Sequence, residues 1–337
     1  MLNPPGERSP GGCFWLFGRG CASRDVGQYA WKMEPIEITD ERGLTRCVID
    51  QARGASIVRW ETSAGMPIVS RNVAGEDERA KPGCFIMSPW TNRVARARMS
   101  FRGREYALDK RVAADGTAMH GDVRSHPWTI VDRSPVSARL TFESRSIAGG
   151  ANFPWAFGAE VRYELVRSVL RIDLTLRNRA DEPMPCGMGP HPYFPRTPMS
   201  GSARQPRVMF PCRGRYESRA MLPVGPARRD GLTRRFASPG FWPASAIDDV
   251  FDGYEGLATI DYGTHGVVMQ SSAELSHLVA FSPTDAKGNL EPYFAIEPVT
   301  MANDAFNLAA RGWLGTGVRT IDPGQSLSCW TTLALEM

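Results

Sequence analysis

The chain has 337 residues, 42% of them hydrophobic and 23% charged, a balance that excludes wholesale disorder and leaves room for a large buried core. Its 40 Lys and Arg against 36 Asp and Glu give a formal charge of only +4, with arginines scattered along the chain, which argues against nucleic-acid binding. No apolar run approaches the roughly 18 residues that span a bilayer, and seven widely spaced cysteines with no C-x-x-C pair indicate neither a disulfide framework nor a zinc site but small apolar side chains in a reducing cytoplasm.

From the N-terminus, residues 1 to about 32 show no sustained period and are rich in glycine and arginine. The Cys13–Phe17 run is too short for a secretion signal and is followed at once by Gly18-Arg19-Gly20, so this stretch is expected to be a poorly packed extension that activity does not require. Strand-like alternation begins after Met33, at Glu34-Pro35-Ile36-Glu37-Ile38, and one domain over 33–337 is expected. Val161, Tyr163 and Leu165 alternate with polar residues, as do Leu170, Ile172, Leu174 and Leu176, which predicts two strands joined by a tight turn at Arg167-Ser168. Residues 195–246 hold eight prolines among arginines and glycines and read as a long rim excursion, in which Arg228, Arg229, Arg234 and Arg235 form either a patch for an anionic substrate or a solvated loop. Near the C-terminus, Asp322-Pro323-Gly324 supplies a turn before the alternating Leu327, Cys329, Thr331, Leu333 and Leu335. With 33 glycines, 26 prolines and no long amphipathic helical stretch, the chain reads as all-β.

Few residues stand out for chemistry. His191, in Gly189-Pro190-His191-Pro192, is expected at a sheet end where glycine and proline break the strand pattern. His120 follows a polar turn, with Trp128 nearby as a flat surface that suits a sugar, although Trp128 taken alone reads as a core residue. Glu297 sits among apolar neighbours at the end of an expected strand, a setting that raises a carboxyl pKa toward the range of a general base; Asp248 and Asp249 add further acids, and exposed turn residues are the alternative reading for all three. On pattern alone, such a set reads as an acid–base site, a metal site or a glycosidase acid pair.

Five segments, in this order, resemble the aldose 1-epimerase (galactose mutarotase) family: Pro89-Trp90-Thr91-Asn92-Arg93-Val94, Met119-His120-Gly121, His191-Pro192-Tyr193-Phe194, Asp248-Asp249-Val250-Phe251, and Glu297-Pro298-Val299-Thr300 followed by Asp304-Ala305-Phe306-Asn307. The resemblance implies a large antiparallel β-sandwich of the galactose mutarotase type. It also implies Glu297 and His191 as the proton-transfer pair, and Arg93, Asn92, His120 and Asp248 as substrate-binding residues. No cofactor or metal is implied, and the partner is a small sugar, an aldohexose or phosphosugar, bound by a monomer or homodimer. Three departures bear on sugar preference: Pro190 stands where the family commonly has asparagine, Val299 where glutamine often follows the glutamate-proline pair, and the segment from His120 to Trp128 is shorter than usual. A hexose-6-phosphate 1-epimerase and a non-catalytic carbohydrate-binding protein are the neighbouring readings.

Overall fold

A computed structural model describes residues 34–70, 83–197 and 205–337; the extension expected over residues 1 to about 32 lies outside them. Two nine-stranded sheets dominate, and their strands pair antiparallel throughout. The first runs Ile36–Thr39, Thr45–Asp50, Ser56–Thr62, Cys84–Met87, Gly189–Pro195, Tyr293–Val299, His277–Ser282, Ile247–Asp252, Gly214–Arg215. The second has Ser326–Glu336, Val169–Asn178, Phe157–Val166 and Ser137–Glu143 as consecutive neighbours.

The alternation read from the sequence sets the register of the second sheet. Val161 lies opposite Leu174, Tyr163 opposite Ile172 and Leu165 opposite Leu170, so one face is continuously apolar, and a one-residue slip would turn all of it to solvent. The turn is the expected one. Arg167 (φ 51°) and Ser168 (φ 60°) are both left-handed, which matches the twist of a two-residue hairpin, and the Leu335 N–H holds the Ser168 carbonyl at 3.0 Å. Tyr163 joins the layers: its hydroxyl crosses to donate to the Ala55 carbonyl, next to Ser56–Thr62 of the first sheet, at 2.7 Å. The residues buried between the sheets form one continuous apolar core.

The described part of the 195–246 segment carries two- and three-residue strands and one short helix, Gly231–Arg235, whose Asp230 and Thr233 cap it reciprocally. Arg228, Arg229, Arg234 and Arg235 are all exposed there. Arg215 makes the segment's strong pairs, at 2.6 Å with both Asp230 and Asp249. The five described cysteines are free thiols, and burial pushes the Cys186 thiol up to about 12, so it packs as an apolar group. Among the described residues no helix is long and apolar enough to cross a membrane.

Candidate active site

The glycine- and proline-rich segment around His191 is not a sheet end. Gly189–Pro195 is an interior strand, buried at every residue. Prolines are tolerated there because the strand divides its pairing: Gly189–Pro192 pair with Cys84–Met87 on one side, while Tyr193–Pro195 pair with Tyr293–Val299 on the other. Pro190 and Pro192, which have no N–H to give, therefore never serve two ladders at once.

Register assembles the site. Continuing the pairing of Tyr193 with Ala295 by two residues sets His191 opposite Glu297; Glu297 lies opposite Val279, and Val279 opposite Val250, two residues from Asp248. Residues directly opposite share a face, and so do residues two apart along a strand. His191, Glu297 and Asp248 thus project from one face of one sheet, while Phe194, Phe294 and Ile296 take the other. Glu297 is the fifth of seven strand residues rather than a terminal one, and Asp248 and Asp249 lie within a strand rather than a turn.

His191 Nε2 stands 3.1 Å from Glu297 Oε1, with both side chains almost fully buried. The imidazole is held between two rings, Phe85 across the strand pair at 4.4 Å and Tyr193 two residues on at 4.5 Å. Burial pushes the Glu297 carboxyl well above the ordinary carboxylate range, the negative charge of Asp248 adds to the rise, and Arg93 opposes it. Its second oxygen, Oε2, is buried with no hydrogen-bond partner among the described residues. Burying a carboxylate oxygen in this way is costly, and it leaves Oε2 able to accept a hydrogen bond.

The other candidates come from the loops beside this sheet. Arg93 pairs with Met119, the His120 N–H donates to the Asn92 carbonyl at 2.8 Å, and the Asp122 N–H donates to the Ser88 carbonyl at 2.9 Å. Asn92 (φ 47°) and His120 (φ 63°) are both left-handed, a conformation unfavourable for side-chain-bearing residues that persists where surrounding bonds over-determine it. His120 is buried, with Nδ1 3.0 Å from the Met87 sulfur and its ring edge-on to His191 at 5.2 Å. Burial first, and then nearby cationic groups, hold its pKa well below the usual histidine value, so it is a neutral hydrogen-bonding group at physiological pH. The Arg93 guanidinium reaches Asp248 at 3.4 Å, the Asn92 side-chain carbonyl at 3.0 Å and Asp115 at 3.1 Å. Burial raises the Asp248 carboxyl, with Arg93 acting against the rise. All six predicted site residues thus fall into two connected groups, His191–Glu297–His120 and Asn92–Arg93–Asp248.

Three contributors escaped the sequence reading. Asp115 and Phe85 act through long-range contacts that no local pattern announces, whereas Tyr193 was available from the period-two spacing to His191. Trp128 is a core residue, as it reads when taken alone: it packs 5.8 Å from Phe142, with its indole N–H on the Val123 carbonyl at 3.2 Å. Asp304 and Asn307 serve the backbone. The Asp304 N–H donates to the Arg93 carbonyl (2.7 Å), its carboxylate accepts the Ala95 N–H (3.0 Å), and Asn307 accepts the Ser100 N–H (2.9 Å). Among the described residues no group of three or more His, Cys, Asp or Glu side chains is arranged to hold a metal ion.

Comparison with known proteins agrees with this fold. The chain is 27% identical over 263 residues to the uncharacterized protein YphB of Escherichia coli (strain K12), covering 75% of this chain and 83% of YphB. Its fold is similar to a galactose mutarotase-like protein from Clostridium acetobutylicum, with a TM-score of 0.75 and 20% identity over 87% of this chain and 93% of that one. It is also similar to galactose 1-epimerase from Lactobacillus acidophilus NCFM, with a TM-score of 0.68 and 14% identity over 90% and 98% of the two chains. Residues 35–334, which hold every site residue described above, match the family model for aldose 1-epimerase, and the chain therefore belongs to the aldose 1-epimerase family.

Proposed function

We propose that this protein interconverts the α and β anomers of an aldose by acid–base-catalysed ring opening and reclosure. The observation that carries the reading is the buried contact between His191 Nε2 and Glu297 Oε1. Ring opening takes a proton from the C1 hydroxyl and delivers one to the ring oxygen. Because both oxygens are bonded to C1, the acid and the base must stand side by side. In this mechanism the Glu297 carboxylate accepts the hydroxyl proton as His191, as imidazolium, protonates the ring oxygen, and the C1–O5 bond breaks. Rotation about C1–C2 presents the other carbonyl face, and the same groups with roles reversed close the ring. A retaining glycosidase instead needs two carboxylates about 5 Å apart flanking the bond; here the partner of the carboxylate is an imidazole.

Arg93, Asn92, His120 and Asp248 hold the sugar hydroxyls in this reading, fixing C1 against the pair. Arg93→Ala and Asp248→Asn should therefore raise KM substantially while lowering kcat less than loss of Glu297 or His191 does; initial rates over a range of sugar concentrations check this. The two rings around His191 fix its orientation and present π faces to the imidazolium. Tyr193→Leu should lower kcat by roughly tenfold with little change in KM, and Tyr193→Phe, which keeps the ring, should restore it. Equal kcat in the leucine variant and the parent would remove Tyr193 from the account.

Polarimetry of freshly dissolved α-D-glucose, α-D-galactose and a hexose 6-phosphate tests the function and the sugar class together. The expected outcome is a faster approach to an unchanged end rotation for at least one of them. A protein that binds these sugars but leaves every rate at the buffer value is a carbohydrate-binding protein, and the proposal fails.

A further inference from the structure

Away from the His191–Glu297 centre, a groove of about 840 Å³ is bordered by the hairpin Arg98–Phe101/Arg104–Ala107, the hairpin Ser218–Arg219/Leu222–Pro223 and the helix Ala305–Ala310. None of His120, His191, Asp248 and Glu297 lines it. Its size is that of a small-molecule site.

Six arginines line the groove, Arg96, Arg98, Arg102, Arg104, Arg219 and Arg311, against two carboxylates, Glu105 and Asp304. Six less two leaves a local excess of +4, as large as the formal charge of the whole chain. Both carboxylates are already engaged, Glu105 with Arg98 and Asp304 with Arg311, each at 3.5 Å. Arg96, Arg102, Arg104 and Arg219 have no carboxylate within ion-pair distance among the described residues, although the charge of Arg96 is felt by the Asp304 carboxyl. Like charges gathered in a cleft repel one another and focus a positive potential into it, and a bound anion relieves both.

The backbone at one wall is held in an unfavourable shape. Arg96 (φ 54°) and Ala97 (φ 50°) are consecutive left-handed residues, and neither is glycine. The bonds from Asp304 to the Ala95 N–H and from Asn307 to the Ser100 N–H and the Arg98 carbonyl hold the segment there. Such strain persists where the surrounding structure over-determines it, and it concentrates at functional positions. Here its effect is to turn the Arg96 side chain to the groove while Arg93, three residues earlier, serves the sugar site.

We propose that this groove is a second binding site, for a small phosphorylated molecule. The planar guanidinium fork matches phosphoryl oxygens. One carboxylate carries a single charge, whereas a phosphate ester carries about −1.5 to −2 at neutral pH and offers three acceptor oxygens, so it answers several guanidinium groups outside ion pairs better. The wall formed by Leu222, Pro223 and Val224 offers apolar surface to the organic part of the ligand. Because its residues are separate from the proton-transfer pair, the site does not depend on the epimerase reading.

Calorimetric titration of the full chain at physiological ionic strength tests this, with pyrophosphate, glucose 6-phosphate and ATP as probes and galactose as the uncharged control. Saturable binding of at least one phosphorylated probe, one per chain, is expected; whether glucose 6-phosphate or ATP binds more tightly identifies the source of the phosphoryl group. The combined variant Arg96→Ala/Arg102→Ala/Arg219→Ala should weaken that binding roughly tenfold or more. Should that variant fold poorly, Arg102→Glu alone, at an exposed turn position, should weaken it in the same direction. Glu297→Gln should bind as the parent does, and excess galactose should not compete. The proposal is overturned by absence of saturable binding, by binding of pyrophosphate or ATP that the arginine variants leave intact, or by binding of pyrophosphate or ATP that galactose displaces or Glu297→Gln abolishes, since either of the last two puts the phosphate in the sugar site.

Discussion

Glu297→Gln and His191→Asn should each lower kcat by about 100- to 10,000-fold, the range typical of a general acid or base, with a much smaller effect on sugar affinity. Proton transfer is made in the transition state, whereas hydroxyl contacts already exist in the bound sugar, so the loss falls on kcat rather than on binding. The double variant should lose less than the product of the single losses, because two groups 3.1 Å apart act as a unit. The pH profile has a definite sign. Since burial and Asp248 raise the Glu297 carboxyl well above its ordinary 4.5, the basic form becomes available only above that raised value, and kcat/KM should fall on acidification through a limb above the usual carboxylate range. Asp248→Asn removes one raising charge and should move this limb to lower pH.

The same shift affects folding. A carboxyl whose pKa is higher in the native state binds its proton more tightly there than in the unfolded chain. Its contribution to stability is therefore fully present below the unfolded pKa and declines as pH rises toward the folded one. Glu297→Gln removes that decline. Differential scanning calorimetry should show the variant's melting temperature gaining on the parent's between pH 5 and pH 8. A gain of the opposite sign would mean that the native site favours the ionised carboxylate.

Gly121→Ala should be among the most damaging single-methyl changes in the chain. Gly121 has φ +73°, and an added Cβ would meet the backbone of Ser88, whose carbonyl accepts the Asp122 N–H. No flexible side chain is available to yield. The left-handed conformation costs an L-residue roughly 1–2 kcal/mol, and overpacking typically adds about 1–3, for a destabilisation of about 2–5 kcal/mol. Displacement of the adjacent His120 should raise KM as well. Gly116→Ala separates the two terms: its φ is +80° but nothing lies within 4 Å of the added Cβ, so it should show the conformational cost alone. Equal melting temperatures for the two variants would show that the Ser88 contact gives way freely.

Much of this architecture is legible in the sequence because burial on one face of a strand imposes a period of two. That period located the hairpin through Arg167-Ser168 and the C-terminal strand, where each residue's neighbours are set locally. It failed at Gly189–Pro195, since a strand buried on both faces shows no alternation and proline normally marks an edge. The site residues were reached through motif resemblance, yet their mutual placement depends on register between strands about 100 residues apart, such as Tyr193 with Ala295. Phe85 and Asp115 reach the site the same way, by pairing and loop contacts that a single sequence does not display. Trp128 shows the converse case: an aromatic residue near polar ones can suggest a sugar platform, but taken alone it reads as core, and its burial agrees.

Saturation transfer between the two anomeric proton resonances of an aldose at equilibrium tests the central claim most directly, because it reads ring opening and reclosure without any net reaction. With the full chain added to galactose, glucose or a hexose 6-phosphate, the account predicts exchange between the α and β signals that rises in proportion to protein and falls to near the buffer rate with Glu297→Gln. Exchange at the buffer rate for every sugar, or enhanced exchange that persists undiminished in Glu297→Gln, would contradict it.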